Sequence, residues 1–509
     1  MTISTVNFDT GVGQGMAAQL EEAFRRLLTA RTGITLYDYQ MPHLRDTVRL
    51  ACERFGYGHE ADYLLVLQEK ADFSPELEYL LAGVTVGESY FFRDSGQMSL
   101  LQDNLLPEII ARKRKVNDYS LRIWSAGCSS GQEIYSIVML LHEILPDIDG
   151  WVLHLLATDI NTSALTSAMS GQYSEWSLRA TPPAMAERYF TRNGDEYALT
   201  ENIRKRVRFA YLNLSEDAFP SMFTETSGLD LILCRNVFIY IEPDVSRSIM
   251  NRFAACLVPD GVLLLGASDH VSWPEETLAR EQTGDACYLR RREAPQVASY
   301  VAGESPALAN HPAVTDAMVA AALKTLETGS LTVENEVETT GQRELARIIE
   351  LVRAERWRET LALIAQVIDK SGASSEILQL KAKALANLGN LEEALQACGQ
   401  SIVLDPTDKH TYLMQGMVLI EHDRLPQAET ALRKAIFLDY AFLEAHHHLG
   451  LLQLRLGRRD AGLKSLSNAL ALAERGDPHR GVHNASGMNY GRFAEVLRKE
   501  ICIYADASH

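Results

Sequence analysis

Residues 121–145 read LRIWSAGCSSGQEIYSIVMLLHEIL. A short apolar run enters a turn bracketed by Gly127 and Gly131, and a run of helical period leaves it. That is a strand, a tight turn and a helix. Glycine at such a turn lets the backbone come close to a ligand, and the first N–H groups of the helix have no partner of their own. The spacing is not G-x-G-x-x-G, so a dinucleotide fingerprint does not apply. A glycine turn of this kind can equally do no more than close a strand–helix unit.

Working outward, VLHLLAT (152–158), VRFAYLN (207–213), LDLILCR (229–235) and GVLLLGA (261–267) are further apolar runs, with helix-periodic segments such as DVSRSIMNRFAACL between them. Alternating strands and helices predict a parallel sheet covered on both faces, a Rossmann-like α/β domain. The second strand ends at Asp159. A carboxylate at that tip suits the hydroxyls of a ribose, or it caps the next helix. The run ILCRNVFIYIEP (232–243) passes abruptly from buried strand to Arg235, Asn236 and Tyr240. Polar groups at the carboxyl ends of parallel strands line the ligand crevice of open α/β sheets, although a structural role for Arg235 and Asn236 stays open. Residues 174–206 break the rhythm and read as a small inserted subdomain with its own hairpin.

The chain has 509 residues, with 49 Lys+Arg against 67 Asp+Glu, so 49 − 67 = −18. The length suggests about three domains. The acidic balance argues against a nucleic-acid partner or an anionic membrane surface. Seven cysteines are scattered without a C-x-x-C pair, which fits a reducing compartment and predicts no metal site. The N-terminus MTISTVNFDTGVGQGM has no basic and apolar leader pattern, and no run of about 18 apolar residues appears. The expectation is a cytoplasmic protein with no membrane insertion.

Residues 1–85 read as an all-α N-terminal domain. Arg45 and Arg49 share a helix face there, with Arg54 a turn further on: a solvated face, or a local basic surface for an acidic partner. The α/β domain covers 86–293, and 294–340 reads as a linker, with one short helix possible near DAMVAAALKTL. Within 341–476, Ala394 recurs as Ala428, Gly416 as Gly450, and Ile402 as Ile436 and Leu470, always 34 residues apart. This period resembles tetratricopeptide repeats, an all-α solenoid of helix pairs in which small residues mark close approaches. Residues 477–509 form a tail whose YGRFAEVLRKEICIYA suits a solvating cap helix.

Six segments appear together and in order: GESYFFRD (87–94), RIWSAGCSSGQEIYSI (122–137), ATDIN (157–161), LNL (212–214), ILCRNVFIYI (232–241) and PDGVLLLGASD (259–269). Over residues 20–290 the chain resembles the CheR-type chemoreceptor methyltransferases. The resemblance implies a class I methyltransferase domain that binds S-adenosylmethionine, releases S-adenosylhomocysteine and esterifies glutamate side chains in the cytoplasmic domain of chemoreceptors. It implies Ser89 where the family commonly has Thr, Arg93 beside the methyl donor, and Glu133 near the donor's amino-acid end. Asp159 falls on the ribose, Asn213 and Leu214 flank the adenine, Arg235 and Asn236 match the pair at the strand end, and Tyr240 lies near the transfer site. Arg93 and Tyr240 are the catalytic candidates; the cofactor-binding candidates are Ser89, Arg93, Gly127, Glu133, Asp159, Asn213, Leu214, Arg235 and Asn236.

The insertion, ERYFTRNGDEYALTENIRKRVRF (187–209), is shorter than in members that tether to a peptide at the receptor C-terminus, so no such tether is expected. The repeats are expected to hold an unidentified protein or peptide and to recruit the enzyme to receptor clusters. The alternative is a non-catalytic signalling scaffold that keeps the fold.

Overall fold

The computed structural model describes residues 18–69, 74–85, 89–217, 219–221, 224–284, 286–292, 344–352, 356–482 and 488–506. The stretch read as a linker, 294–340, with a short helix possible near DAMVAAALKTL, and residues 1–17 lie outside them. Among the described residues no helix is long and apolar enough to cross a membrane. The chain forms two compact units, residues 1–292 with 415–509, and residues 293–414. The division falls inside the helix Lys409–Glu421 and places the later repeats in one unit with the methyltransferase-fold sheet.

The larger unit is built on a seven-stranded sheet. Its strands are β1 (Ser120–Ala126), β2 (Val152–Asp159), β6 (Val207–Tyr211), β7 (Leu229–Cys234), β8 (Leu257–Leu265), β9 (Leu278–Thr283) and β10 (Ala286–Arg291). The spatial order is β6-β2-β1-β7-β8-β10-β9. The first five run parallel; β10 is antiparallel to both β8 and β9. That hairpin was not read from the sequence. Its burial alternates poorly and its arginines lie in the sheet margin, so it lacks the continuous apolar run of a strand buried on both faces.

Ile123 sits in register between Leu155 and Leu231, and Trp124 between Leu156 and Ile232. Successive strand residues face opposite ways. The first set joins the core under the helix Gln132–Ile144, and the second packs beneath the helix Pro243–Cys256. The insertion forms a three-stranded sheet ordered β3-β5-β4, from β3 (Gln172–Ser174), β4 (Phe190–Asn193) and β5 (Glu196–Leu199). The expected hairpin is β4–β5, turned at Gly194.

Four helices, Ala18–Thr32, Met41–Phe55, Glu60–Glu69 and Pro75–Val84, enclose an N-terminal core of Phe24, Leu28, Leu44, Val48 and Tyr63. On the second helix, where the sequence leaves a solvated face or a basic surface open, the arginines have partners. Arg45 pairs with Glu21 at 2.8 Å, Arg49 with Glu53 at 2.9 Å, and Arg54 lies over the Tyr79 ring.

In the smaller unit the helix Ser375–Asn387 packs against both Trp357–Ser371 and Leu391–Leu404. In the larger unit the repeat continues through Leu425–Leu438, Leu443–Arg455 and Arg459–Arg475. A Cβ on Gly416 would sit 2.8 Å from Leu432, and one on Gly450 would sit 2.8 Å from Leu466. The 34-residue recurrence of glycine is therefore a recurrence of one close helix approach. The final helix, Tyr490–Asp506, is exposed at Arg498, Cys502 and Ala505 and buried or half-buried on its other sides. Phe493 and Leu497 pack on the repeat helices, and Ile503 belongs to the catalytic core.

Candidate functional site

The turn after β1 is shaped by local bonds. Gly127 and Gly131 have φ of 77° and 85°, where a side chain is strained. The N–H groups of Gly127 and Cys128 both donate to the Thr158 carbonyl, at 2.8 and 3.0 Å. A Cβ on Gly127 would lie 2.4 Å from Val237 Cγ2. Ser129 N–H donates to Asp159 Oδ2 at 2.8 Å, and Asn161 N–H donates to Oδ1 at 2.8 Å. Burial raises the Asp159 pKa, and these backbone donors oppose the rise. Asp159 is not the cap of the next helix: the Asn161 side chain takes that place, accepting from Ala164 N–H at 3.0 Å.

Past β7, Asn236 adopts φ of 59° and its N–H donates to Asp269 Oδ2 at 2.6 Å. Asp269 also accepts from Gly266 at 2.9 Å and from Ile239 at 3.2 Å, so one buried carboxylate gathers the turns after β7 and β8. Arg235 is an internal brace. Its Nε donates to Gln97 Oε1 at 2.6 Å, its Nη1 to Glu133 Oε2 at 3.2 Å and its Nη2 to the Arg93 carbonyl at 2.6 Å. Gln97 in turn donates to the Leu265 carbonyl at 2.7 Å, and Ser125 Oγ donates to the other Glu133 oxygen at 2.7 Å. Tyr240 is held from the N-terminal domain, where Thr35 N–H donates to its carbonyl at 2.7 Å beside an Ile34–Ile241 bridge.

These elements surround one crevice with two lobes. Apolar Ile160, Leu212 and Val237 line the first with Asp159, Asn213 and Leu214; Ser89, Arg93, Glu133 and Arg235 line the second. Gly127, Ser129, Asn236 and Tyr240 border both. Every candidate residue from the sequence therefore reaches this crevice. Their roles divide, however. The Asn213 amide donates to the Arg31 carbonyl at 3.1 Å and its Oδ1 accepts from Ser215, so that side chain ties a loop and leaves the backbone of 212–214 at the cleft wall. Cys128 is buried, which pushes its thiol well above the usual range and removes it as a nucleophile.

Sequence reading missed Gln97 and Asp269 as organisers. Asp269 carried a signal, an acid just past a buried strand; Gln97 carried none. It also missed the rim of the polar lobe. There the Arg179 guanidinium lies 3.6 Å from the Tyr90 ring centroid and 4.2 Å from that of Trp176, which is 66% exposed.

The donor set suits S-adenosylmethionine: an apolar slot with a carboxylate at its edge for a nucleoside, then a lobe with an acid and a guanidinium for the two charges of an amino acid. The CheR methyltransferase S-adenosylmethionine-binding domain matches residues 87–286, and the tetratricopeptide repeat matches 375–408. Fold and site define an S-adenosylmethionine-dependent protein methyltransferase. Chemotaxis protein methyltransferase 1 of Pseudomonas aeruginosa is 38% identical over 254 residues, 49% of this chain and 89% of that protein. Chemotaxis protein methyltransferase 1 of Vibrio cholerae is 33% identical over 255 residues, 49% of this chain and 88% of that one. The Borreliella burgdorferi chemotaxis protein methyltransferase is 33% identical over 218 residues, 42% of this chain and 75% of that one. The chain belongs to the chemotaxis protein methyltransferase family, and repeats are joined to its methyltransferase domain.

Proposed function

We propose that this protein esterifies glutamate side chains on the cytoplasmic domain of chemoreceptors, and that its repeats recruit a protein partner. The observation that carries the reading is the meeting of Arg93 and Tyr240 in the polar lobe, at the border of the slot that suits a nucleoside. When bound, S-adenosylmethionine supplies an electrophilic methyl group on a sulfonium. A glutamate carboxylate, with an ordinary pKa near 4.3, is already an anion at neutral pH. No general base is required. Methyl transfer to that carboxylate would leave a methyl ester and S-adenosylhomocysteine.

The chain's task is then orientation and exclusion of water, which contribute up to roughly 7–11 kcal/mol in favourable cases. Arg93, whose carbonyl is gripped by Arg235, offers a fork to the incoming carboxylate. Charge is lost on the way to the transition state, so a tight ion pair would slow the step, and the neutral Tyr240 hydroxyl suits the site as a weaker donor. The Tyr90–Arg179–Trp176 rim supports an acidic, amphipathic target in an enzyme whose net charge is −18. The inserted sheet closes its hairpin at Gly194, which supports docking without a receptor C-terminal tether. Each ester removes one negative charge from packed receptor helices and so shifts a two-state receptor.

The test is mass spectrometry of candidate receptors after incubation with the full chain and labelled methyl donor. Labelled glutamate esters are expected. S-adenosylmethionine binding with no receptor ester formed overturns the substrate, and no binding at all favours the scaffold.

A further inference from the structure

Asn213 and Leu214 wall the nucleoside lobe, and their loop is shaped by Asp217. Asp217 Oδ2 accepts from Asn213 N–H at 2.6 Å, and Asp217 N–H donates back to the Asn213 carbonyl at 2.9 Å. The other oxygen of this buried carboxylate points away from the cleft, to a cation contributed from 275 residues further along the chain. Arg492 Nη2 and Nε donate to Asp217 Oδ1 at 2.9 and 3.2 Å. The same guanidinium lies 3.5 Å from Glu216, whose carboxylate also accepts from the Asn213 amide at 3.3 Å. Arg252 approaches Asp217 as well, but it donates to the backbone carbonyl at 2.9 Å.

The helix bearing Arg492 is held from two sides. Toward the methyltransferase domain, Lys499 pairs with Glu78 at 3.1 Å, Tyr504 donates to the Phe209 carbonyl at 3.1 Å, and Ile503 enters the core. Toward the repeats, Phe493 and Leu497 are packed and Glu500 meets His447 at 2.8 Å. Water cannot readily replace the guanidinium, since the Asp217 and Arg492 side chains are only 6% and 15% exposed. Without the guanidinium the buried Asp217 Oδ1 loses both of its hydrogen bonds from Arg492, a cost that loosens the carboxylate and with it the hold on Asn213 N–H.

We infer that Arg492 is a positioning residue for the nucleoside side of the cleft, so the C-terminal helix beyond the repeats is a working part of the methyltransferase. The inference rests on the cofactor reading above and adds to it a residue outside the methyltransferase domain.

The test uses the full chain as wild type, Arg492→Met, Arg492→Lys and Asp217→Asn. Calorimetry with S-adenosylmethionine gives Kd, initial rates give KM for the methyl donor and for the receptor, and hydrogen exchange follows the amides of residues 213–217. For Arg492→Met the donor Kd and KM are expected to rise about tenfold, the cost of one charge-assisted contact. The kcat and the receptor KM stay within about twofold. Exchange at 213–217 quickens, and Arg492→Lys recovers most of the affinity. Donor affinity within twofold of wild type overturns the inference, as does a uniform fall in every parameter that lysine does not rescue. Should Arg492→Met not fold, Asp217→Asn decides: it loses donor affinity selectively if the inference holds, and leaves it unchanged if not. A wild type with no affinity for S-adenosylmethionine overturns the cofactor reading itself, and this inference falls with it.

Discussion

The turn at 127–131 and the loop at 213–217 wall the same crevice, yet they are held by opposite means. The first is fastened by near neighbours: Thr158 and Asp159 on the adjacent strand receive its N–H groups, and Val237 closes over Gly127. The second has its own Asn213–Asp217 bonds, but it is anchored from both ends of the chain, by the Arg31 carbonyl on one side and the Arg492 guanidinium on the other. A turn braced by its own sheet keeps its shape wherever that sheet folds. A loop braced by distant helices keeps its shape only while those helices are docked, so it is the part of the site through which the rest of the molecule can act.

The largest expected effect lies on the locally braced side. Asp159→Ala removes the acceptor of Ser129 and Asn161 together with the proposed ribose contact. Calorimetry should show S-adenosylmethionine binding weakened about 100-fold, two charge-assisted contacts' worth. A smaller loss than that of Arg492→Met would invert the comparison. Next, Gly127→Ala places a Cβ against Val237 at a φ of 77°. Denaturant unfolding should show a loss of about 2 kcal/mol, partly recovered by adding Val237→Ala.

The distantly braced side has a pH signature. Burial lowers the Lys499 pKa from 10.5 to about 8, against the opposing pull of Glu78, with Arg492, Asp217 and Tyr211 also facing it. The unfolded chain keeps that proton to about 10.5 while the folded chain releases it near 8. Between those values unfolding takes up a proton, so the lysine's contribution to stability rises with pH, by at most about 1.4 kcal/mol per unit. Below 8 the lysine is charged in both states and the contribution is flat. Melting curves of wild type and Lys499→Met across pH 7–10 should diverge in that direction, and parallel curves would remove the docked lysine from the account. The smallest effect belongs to Arg45→Ala. Its guanidinium is already paired with Glu21, so receptor methylation rates should stay within about twofold of wild type.

Much of the crevice was legible because its residues stand at strand ends, where an apolar run breaks into glycine or a polar side chain. Gly127, Asp159, Arg235 and Asn236 each announce themselves that way. What the pattern did not show is how those side chains are spent. Arg235 looks like a ligand group from its position, yet three of its donors go to Gln97, Glu133 and Arg93. The resemblance puts Asn213 beside the adenine, and in the structure its amide binds the Arg31 carbonyl. Hydrogen-bond partners more than a hundred residues apart leave no periodic trace. Of the two readings open for the Arg45 and Arg49 face, the paired one has two origins: Glu53, four residues beyond Arg49, is visible in the sequence, whereas Glu21, the partner of Arg45, comes from another helix and only docking brings it near.

Hydrophobic period and the 34-residue recurrence determined the α/β sheet and the helical repeats, because these follow from burial patterns that repeat along the chain; the family was legible in six motifs standing in order. Only the tertiary structure decided that the C-terminal helix belongs to the catalytic unit. An amphipathic helix looks the same in sequence whether it caps a solenoid or bridges to a neighbour. The choice rests on Arg492, Lys499 and Tyr504 meeting acceptors hundreds of residues away.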